Sequence, residues 1–277
     1  MSKTLPNLSN WRGRFGVPYQ GSKNQIARKL ISVLPAGRRF VDLFAGGCAM
    51  THAAILSGKY ERFLANDIHG FGLMLFRDAI AGKCNGRWRE FVTRDEFHSR
   101  KSKDPLIALC WSFSNNGIDY LWGASIEQSK RIEHERVVKG EKSASHGTRK
   151  SEALERLQAL ERLQALERLQ ALERLQALEL DFVYVDHEDG DIVYCDPPYK
   201  GTKQYFRGSF DSGRFWRWAA SRQFPVFVSE YSCPDGFSSV FACQKCRLMD
   251  AKGSDGKVIE HLFVQDRFAE QFRAELF

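Results

Sequence analysis

The sequence predicts an α/β fold whose central sheet is mostly parallel with an antiparallel edge. Short apolar runs alternate along the chain with helix-forming segments, and such alternation requires crossover connections between parallel strands. The first run ends in Ala-Gly-Gly, as expected for a tight turn from a strand into a helix. Two late apolar runs flank a glycine-containing turn at Lys252–Gly256, which indicates a hairpin and therefore a mixed sheet.

In the first half of the chain, strand and helix signals alternate. Arg39–Phe44 predicts a strand because it is short, apolar and stopped by glycines, and the breaker-free segment Met50–Ser57 then predicts a helix. Arg62–Asn66 predicts a second strand that ends before Asp67. The helical segments Ile68–Gly82 and Asp104–Asn116 follow.

In the second half, strand signals dominate. Asp191–Cys195 is an apolar run stopped by Asp-Pro-Pro, and Pro225–Ser229 is rich in β-branched and aromatic residues. Val240–Leu248 and Lys257–Val264 are the predicted hairpin strands.

A tandem repeat lies between these halves, where the unit LERLQA occurs in consecutive copies from Leu154 to Ala177. Its leucines recur at every third residue, whereas a helix has 3.6 residues per turn, so the leucine stripe moves by about 60° per step. We therefore predict a helical spacer over residues 154–180 that has no fixed apolar face and no chemistry. A leucine helix that binds a partner is the alternative.

The composition is that of a globular protein. Hydrophobic residues make up 43% of the 277 residues and aromatic residues 13%, which excludes a wholly disordered chain. No apolar run approaches the ~18–20 residues of a membrane span, and the N-terminus has no signal-peptide core. The seven cysteines are interpreted as reduced thiols, so the expected location is cytoplasmic, with no membrane partner.

The charge distribution favours a nucleic-acid partner. The net charge is +7, and two segments, 128–150 and 200–222, hold a local excess of basic residues. In the second segment aromatic residues are interleaved, which is typical of surfaces that bind phosphates and bases. Solvated basic faces with aromatic core residues would give the same pattern. The expected nucleic-acid contacts are Lys200, Lys203, Arg207, Asn115 and Asn116. For the two asparagines, capping and loop hydrogen bonds are an equally good explanation.

The glycine turn and a following acid indicate a nucleoside cofactor. Gly46-Gly47 would let the backbone approach a ligand closely, and Asp67 ends the next strand about 20 residues on, where an acid binds ribose hydroxyls. The phosphate-binding Gly-x-Gly-x-x-Gly pattern is absent, which argues against a dinucleotide. An ordinary turn with a surface acid is the alternative.

The Asp196-Pro197-Pro198-Tyr199 turn predicts an acceptor site. The prolines lack N–H groups and stiffen the turn, so a carboxylate, a bare carbonyl and an aromatic face stand together. This combination suits a flat group that bears an NH₂.

These motifs, taken in order, resemble a known family. DLFAGG (Asp42–Gly47), AND (Ala65–Asp67) and YCDPPY (Tyr194–Tyr199) are similar to the S-adenosylmethionine-dependent DNA adenine-N6 methyltransferases of the Dam-like, alpha-order class of phages and bacteria. PYQGSK (Pro18–Lys23) resembles the opening cofactor motif of that class, and EHLFV (Glu260–Val264) resembles its closing strand.

The resemblance implies a Rossmann-like, mixed seven-stranded methyltransferase sheet with a small, mostly helical target-recognition insertion. Residues 1–84 and 181–277 would form the catalytic domain that binds S-adenosylmethionine, and residues 85–153 the insertion. The implied cofactor contacts are Tyr19, Lys23, Phe44, Gly46, Asp67, Asp181 and Asp196, and the implied catalytic residues are Asp196, Pro197, Pro198 and Tyr199. Cys48 stands where the family usually has a second glycine.

The implied reaction needs neither a metal nor a covalent intermediate. Asp196 and the Pro197 carbonyl would accept the two amine hydrogens of an adenine flipped out of double-stranded DNA, and Tyr199 would stack on the base. Cys195 would point away from this site, and the zinc-like spacing Cys243-x-x-Cys246 lacks a second pair. The expected assembly is a monomer or weak dimer. The alternatives are cytosine-N4 or RNA adenine methylation, and a non-catalytic nucleic-acid-binding relative.

Overall fold

The computed structural model describes residues 7–141, 152–164, 166, 170–199, 210–246 and 257–274. Its strands, in chain order, are β1 (Gly37–Asp42), β2 (Tyr60–Asn66), β3 (Leu175–Leu178), β4 (Asp191–Cys195), β5 (Val226–Glu230), β6 (Phe237–Cys246) and β7 (Lys257–Gln265). They form one seven-stranded sheet in the order β3-β2-β1-β4-β5-β7-β6. The first five strands in that order are parallel, and β7 is antiparallel to both β5 and β6. The predicted mixed, seven-stranded α/β sheet is confirmed.

The α-helices cover both faces of this sheet and form the segment between β2 and β3. They are α1 (Ala27–Val33), α2 (Ala49–Ser57), α3 (Phe71–Ile80), α4 (Arg94–Arg100), α5 (Pro105–Cys110), α6 (Ala124–Val138), α7 (Glu152–Leu163), α8 (Ala171–Arg174), α9 (Ser212–Ser221) and α10 (Asp266–Ala274). Successive residues of a strand point to opposite faces, and accordingly Phe40 and Val41 of β1 lie in two separate apolar layers. A sheet buried on both faces explains why its central strands read as continuous apolar runs.

Two helices differ from their predicted bounds by three residues or more. Helix α3 begins at Phe71 rather than Ile68, because the Asp67 carboxylate accepts the N–H of His69 and holds that segment as a turn. Helix α5 ends at Cys110 rather than Asn116. The Arg156 guanidinium binds the carbonyl oxygens of Cys110 and Ser112 at 3.0 and 2.9 Å, which satisfies carbonyls that the helix would otherwise use.

The predicted spacer is wrong, because part of the repeat lies in the core. Leu157, Leu160 and Leu163 of α7 are buried, and the helix packs against α3 and α5. Over this short helix the three leucines turn through only about 120°, which is the width of an ordinary apolar face. In a longer helix the row of leucines would wind away from this face, but α7 ends at Leu163, before that happens.

The repeat also supplies β3, which is an edge strand of the sheet. Leu175–Leu178 forms β3 and pairs in parallel with β2, from Phe63 opposite Leu175 to Asn66 opposite Leu178. The same letters, LQAL, are helical at residues 157–160. Local propensity therefore does not decide the conformation of a unit; pairing with β2 does.

The predicted turn at residues 252–256 lies outside the described residues. Within the described part of the chain, no helix is long and apolar enough to cross a membrane.

Candidate active site

A cavity of about 620 Å³ opens at the carboxyl ends of β1, β2 and β4. Its size is typical of sites for small molecules, and this edge of a parallel sheet is where α/β folds bind ligands. The glycine turn, Asp67 and the Asp196–Tyr199 turn all line it, so the fold brings together motifs that are far apart in the sequence.

The glycine turn is shaped to admit the ring of Tyr19. Gly46 has φ +47°, a left-handed conformation that glycine adopts without strain. A Cβ atom on Gly46 would lie 2.8 Å from the Tyr19 ring, and one on Gly47 would lie 2.5 Å from the Tyr19 Cβ. Both glycines are therefore required for the N-terminal segment to pack over the turn.

Cys48, the residue that caps the N-terminus of α2, lies in the same left-handed region, with φ +59°. A residue with a side chain holds a conformation that glycine would hold at lower cost, and its thiol is fully buried.

Asp67 connects the ends of β1 and β2. Its Oδ2 accepts the N–H of Gly46 at 2.8 Å and its Oδ1 accepts the N–H of His69 at 2.8 Å. Burial raises the pKa of the carboxyl, opposed by these two hydrogen bonds. The acid predicted to bind ribose therefore faces the cavity and also fixes the glycine turn.

Lys23 lies at the Asp196–Tyr199 turn. Its Nζ is 2.6 Å from Asp196 Oδ1 and 2.8 Å from Glu260 Oε1, contacts the Tyr199 hydroxyl, and the side chain is only 2% exposed. Burial acts to lower the pKa of Lys23, but the carboxylates of Asp196 and Glu260 outweigh it and raise the pKa. The lysine that the family resemblance assigned to the cofactor thus makes close contacts with Asp196, Tyr199 and Glu260.

Glu260 is a site residue that sequence reasoning did not identify. It is fully buried on β7, and its Oε1 accepts from the Tyr199 hydroxyl at 2.9 Å and from Ser229 Oγ at 2.5 Å. Burial and the neighbouring carboxylates of Asp196 and Glu260 raise the pKa of Tyr199. An acid in the middle of an apolar strand was the signal that could have found it.

The Asp181–Phe182 pair lies on another wall of the cavity, where the Phe182 ring packs against Phe44 with ring centroids 5.5 Å apart. Asp181 Oδ2 is 2.6 Å from Arg214 Nη1, and the Arg214 guanidinium also lies over the Phe182 ring. Arg214 was not singled out in the sequence. Its ion pair holds Asp181 beside this aromatic wall.

Two further carboxyls near the site have raised pKa values. Burial raises the pKa of Asp42 to about 7, against hydrogen bonds from Thr51 that lower it. Burial likewise raises the pKa of Glu230 to about 7. Both groups can therefore exchange protons near neutral pH.

The residues expected to touch DNA lie apart from this cavity or outside the described residues. Lys200, Lys203 and Arg207 fall in the undescribed segment 200–209. Asn116 braces its own loop, because its Oδ1 accepts the N–H groups of Ile118 and Asp119 and its Nδ2 donates to Asp119. Asn115 stands beside it with φ +57°, and neither asparagine lines the cavity.

Two further observations on the described residues concern cysteine thiols and metal ligands. Cys195 is fully buried, and burial raises the pKa of its thiol well above the ordinary value. Among these residues, no group of three or more His, Cys, Asp and Glu side chains is placed to hold a metal ion.

Comparison with known proteins supports the family named from the motifs. Residues 19–105 match the family model of D12 class N6 adenine-specific DNA methyltransferases. The Retron Ec67 DNA adenine methylase of Escherichia coli is 25% identical over 192 residues, which cover 66% of this chain and 63% of that protein. The chain thus spans somewhat under two thirds of the length of this curated relative. The matched region contains Tyr19, Lys23, the glycine turn and Asp67, and the resemblance is confirmed.

Proposed function

We propose that this chain, which carries a D12 class N6 adenine-specific DNA methyltransferase domain, transfers a methyl group from S-adenosylmethionine to the N6 amine of adenine in DNA. One observation carries the proposal. The Asp196–Tyr199 turn and the glycine turn with Asp67 form walls of the same cavity, so an acceptor site for an amine adjoins a site for a nucleoside.

The cavity suits S-adenosylmethionine by the chemistry of its walls. Asp67 would accept the ribose hydroxyls, and Phe44 with the Gly46 backbone would face the methionine part. Phe182 offers an aromatic face to the adenine ring, and Asp181 offers an acceptor near it. When bound, the cofactor supplies an electrophilic methyl group on a sulfonium.

The catalytic turn would act on the amine of the target base. Asp196 and the Pro197 carbonyl would each accept one amine hydrogen, which favours a pyramidal nitrogen whose lone pair is available. Pro198 keeps the turn stiff, and Tyr199 would stack on the base. This catalysis consists of positioning and of acceptors fixed in advance, so it needs no nucleophile from the protein.

The proposed substrate is double-stranded DNA with the adenine turned out of the helix, because an amine inside the duplex cannot reach this cavity. Lys200, Lys203 and Arg207 directly follow the catalytic turn in the sequence and would bind phosphates. Asn115 and Asn116 remain proposed DNA contacts, through the braced loop that holds them. The proposed enzyme works in the cytoplasm of a bacterial or phage-infected cell, as a monomer or weak dimer.

The decisive experiment incubates the protein with S-adenosylmethionine labelled on its methyl group and, in parallel, with unmodified DNA and with RNA, then separates the nucleosides. Label in N6-methyladenine supports the proposal. Label in N4-methylcytosine, or only in RNA, would move the target, and cofactor binding without transfer would make the chain a non-catalytic relative.

The matched control for this experiment is Asp196→Ala. We expect it to retain at least part of the cofactor affinity and to lose on the order of 10²-fold or more in rate, because one preorganised polar group is removed. Transfer at a near wild-type rate by this variant would show that Asp196 does not have the assigned role.

A further inference from the structure

The buried acid Glu260 makes contacts that no catalytic role yet explains. A carboxylate with no exposed surface is rare unless it is paired, and Glu260 is paired to two groups of the catalytic turn region. Its Oε1 accepts the Tyr199 hydroxyl at 2.9 Å and lies 2.8 Å from Lys23 Nζ. It belongs to β7, so the antiparallel edge of the sheet reaches the active site through this side chain.

The charges around Lys23 show what this pairing does. The buried ammonium of Lys23 forms ion pairs with two carboxylates, that of Asp196 at 2.6 Å and that of Glu260 at 2.8 Å. Without Glu260, the whole charge of Lys23 would be directed to Asp196. That carboxylate would then be a weaker acceptor for an amine, because a full cation neutralises it.

The second contact concerns the aromatic ring. Tyr199 packs against Tyr231 with ring centroids 4.6 Å apart, while Lys23 Nζ lies 4.6 Å from the centroid of the Tyr199 ring. The hydrogen bond that the Tyr199 hydroxyl donates to Glu260 fixes the far end of this side chain. The ring that would stack on the base is thus held at its tip as well as along its face.

We propose that Glu260 is a positioning residue for methyl transfer: it shares the charge of Lys23 with Asp196 and anchors the hydroxyl of Tyr199. This inference rests on the proposed function, because Asp196 and Tyr199 are its catalytic groups. Glu260 acts through Lys23 and Tyr199, and it is not among the residues that line the cavity.

The test compares wild type, Glu260→Gln and a control on the same strand, Gln265→Met. Gln265 is also buried on β7, but its amide accepts from Val226 and donates to Ala219, at the end of the strand away from the site. Thermal melting reports folding, and initial rates with labelled cofactor give kcat and KM for the cofactor and for DNA.

We expect Glu260→Gln to lower kcat at least tenfold while KM for the cofactor stays within threefold. Glu260→Asp, which restores the charge, should recover part of kcat. Gln265→Met should lower the melting temperature without lowering kcat. A merely structural Glu260 would give the pattern of the control.

A second variant covers the case in which Glu260→Gln fails to fold. Tyr199→Phe keeps the ring and removes only the hydroxyl that Glu260 holds. It should lower kcat, and together with Glu260→Gln, where that folds, it should lower kcat by less than the product of the two single effects.

Two outcomes overturn the inference in distinguishable ways. A folded Glu260→Gln, or a Tyr199→Phe protein, with kcat within twofold of an active wild type would remove the positioning role and leave the proposed function intact. A folded wild type that binds the cofactor but transfers no methyl group would refute the proposed function, and the role of Glu260 with it.

Discussion

Asp67 accepts the backbone N–H of Gly46 at 2.8 Å, so the acid at the end of β2 locks the glycine turn that follows β1. Two neighbouring strands thereby supply adjoining parts of the cavity wall, and a single carboxylate both shapes the turn and faces the cavity. Substitutions at this residue should therefore affect binding more than the fold as a whole.

Asp67→Ala should weaken binding of S-adenosylmethionine by roughly 1.5–3 kcal/mol, the scale of hydrogen bonds to a charged group. Isothermal titration calorimetry measures this directly. Asp78→Ala is the control, because Asp78 makes a surface ion pair with Lys83 and does not line the cavity. Equal affinities in the two variants would place the ribose contact elsewhere.

The proposed DNA contacts that follow the Asp196–Tyr199 turn are tested by the salt dependence of DNA binding. Neutral substitutions at Lys200, Lys203 and Arg207 should weaken binding and reduce the slope of log K against log salt by roughly 0.9 for each phosphate that is no longer neutralised. Fluorescence anisotropy over a salt series gives this slope. An unaltered slope in the triple variant would show that these residues do not contact phosphates.

His52 should make the fold sensitive to acid. Its ring is fully buried, its Nδ1 accepts the N–H of Gly16 at 2.9 Å, and burial lowers its pKa to about 3. Since the unfolded chain binds this proton near pH 6.5 and the folded protein only near pH 3, stability from His52 is intact above pH 6.5 and is lost as the pH falls between these values.

From pH 7.5 to pH 5.0 this group should remove about 2 kcal/mol from the free energy of unfolding. Denaturant titrations of wild type and His52→Gln at both pH values measure the difference. Asp42 and Glu230, whose raised pKa values act in the opposite direction, contribute equally to both proteins. The same pH dependence in wild type and variant would contradict the assignment.

The repeat should contribute to stability through its buried leucines. Leu163→Ala should lower the free energy of unfolding by about 2–5 kcal/mol, because it opens a cavity between α7 and its neighbours. Arg162→Ala, at the exposed preceding position, should change it by less than about 0.5 kcal/mol. Equal free energies of unfolding for the two variants, measured by urea titration, would favour the interpretation of the repeat as a spacer.

The sequence predicted the parts of the molecule in which local patterns and topology agree. Asp191–Cys195 was predicted with its observed bounds because a buried strand runs into two prolines, which no strand can continue through. Asp67 and the Asp196–Tyr199 turn were each predicted to follow a strand, and the structure brings them to one cavity because the carboxyl ends of parallel strands meet at one edge of the sheet.

The features that were not predicted from the sequence depend on contacts between residues that lie far apart in the chain. The partners Lys23 and Glu260 are separated by more than two hundred residues of sequence, so no local pattern shows that they share a cluster. Likewise the sequence LQAL occurs in both α7 and β3, and only the pairing with β2 distinguishes the copy that forms a strand.

Identical units also have a genetic consequence. A repeated coding segment gains or loses whole copies when a polymerase slips. After the addition of one LERLQA copy, an LQAL segment would still be available to pair with β2. The extra residues would enter the connection between α7 and α8, where added length carries only a small entropic cost. Descendants of one gene can therefore differ in copy number while keeping the same sheet and the same cavity, provided that the copies forming α7 and β3 are retained.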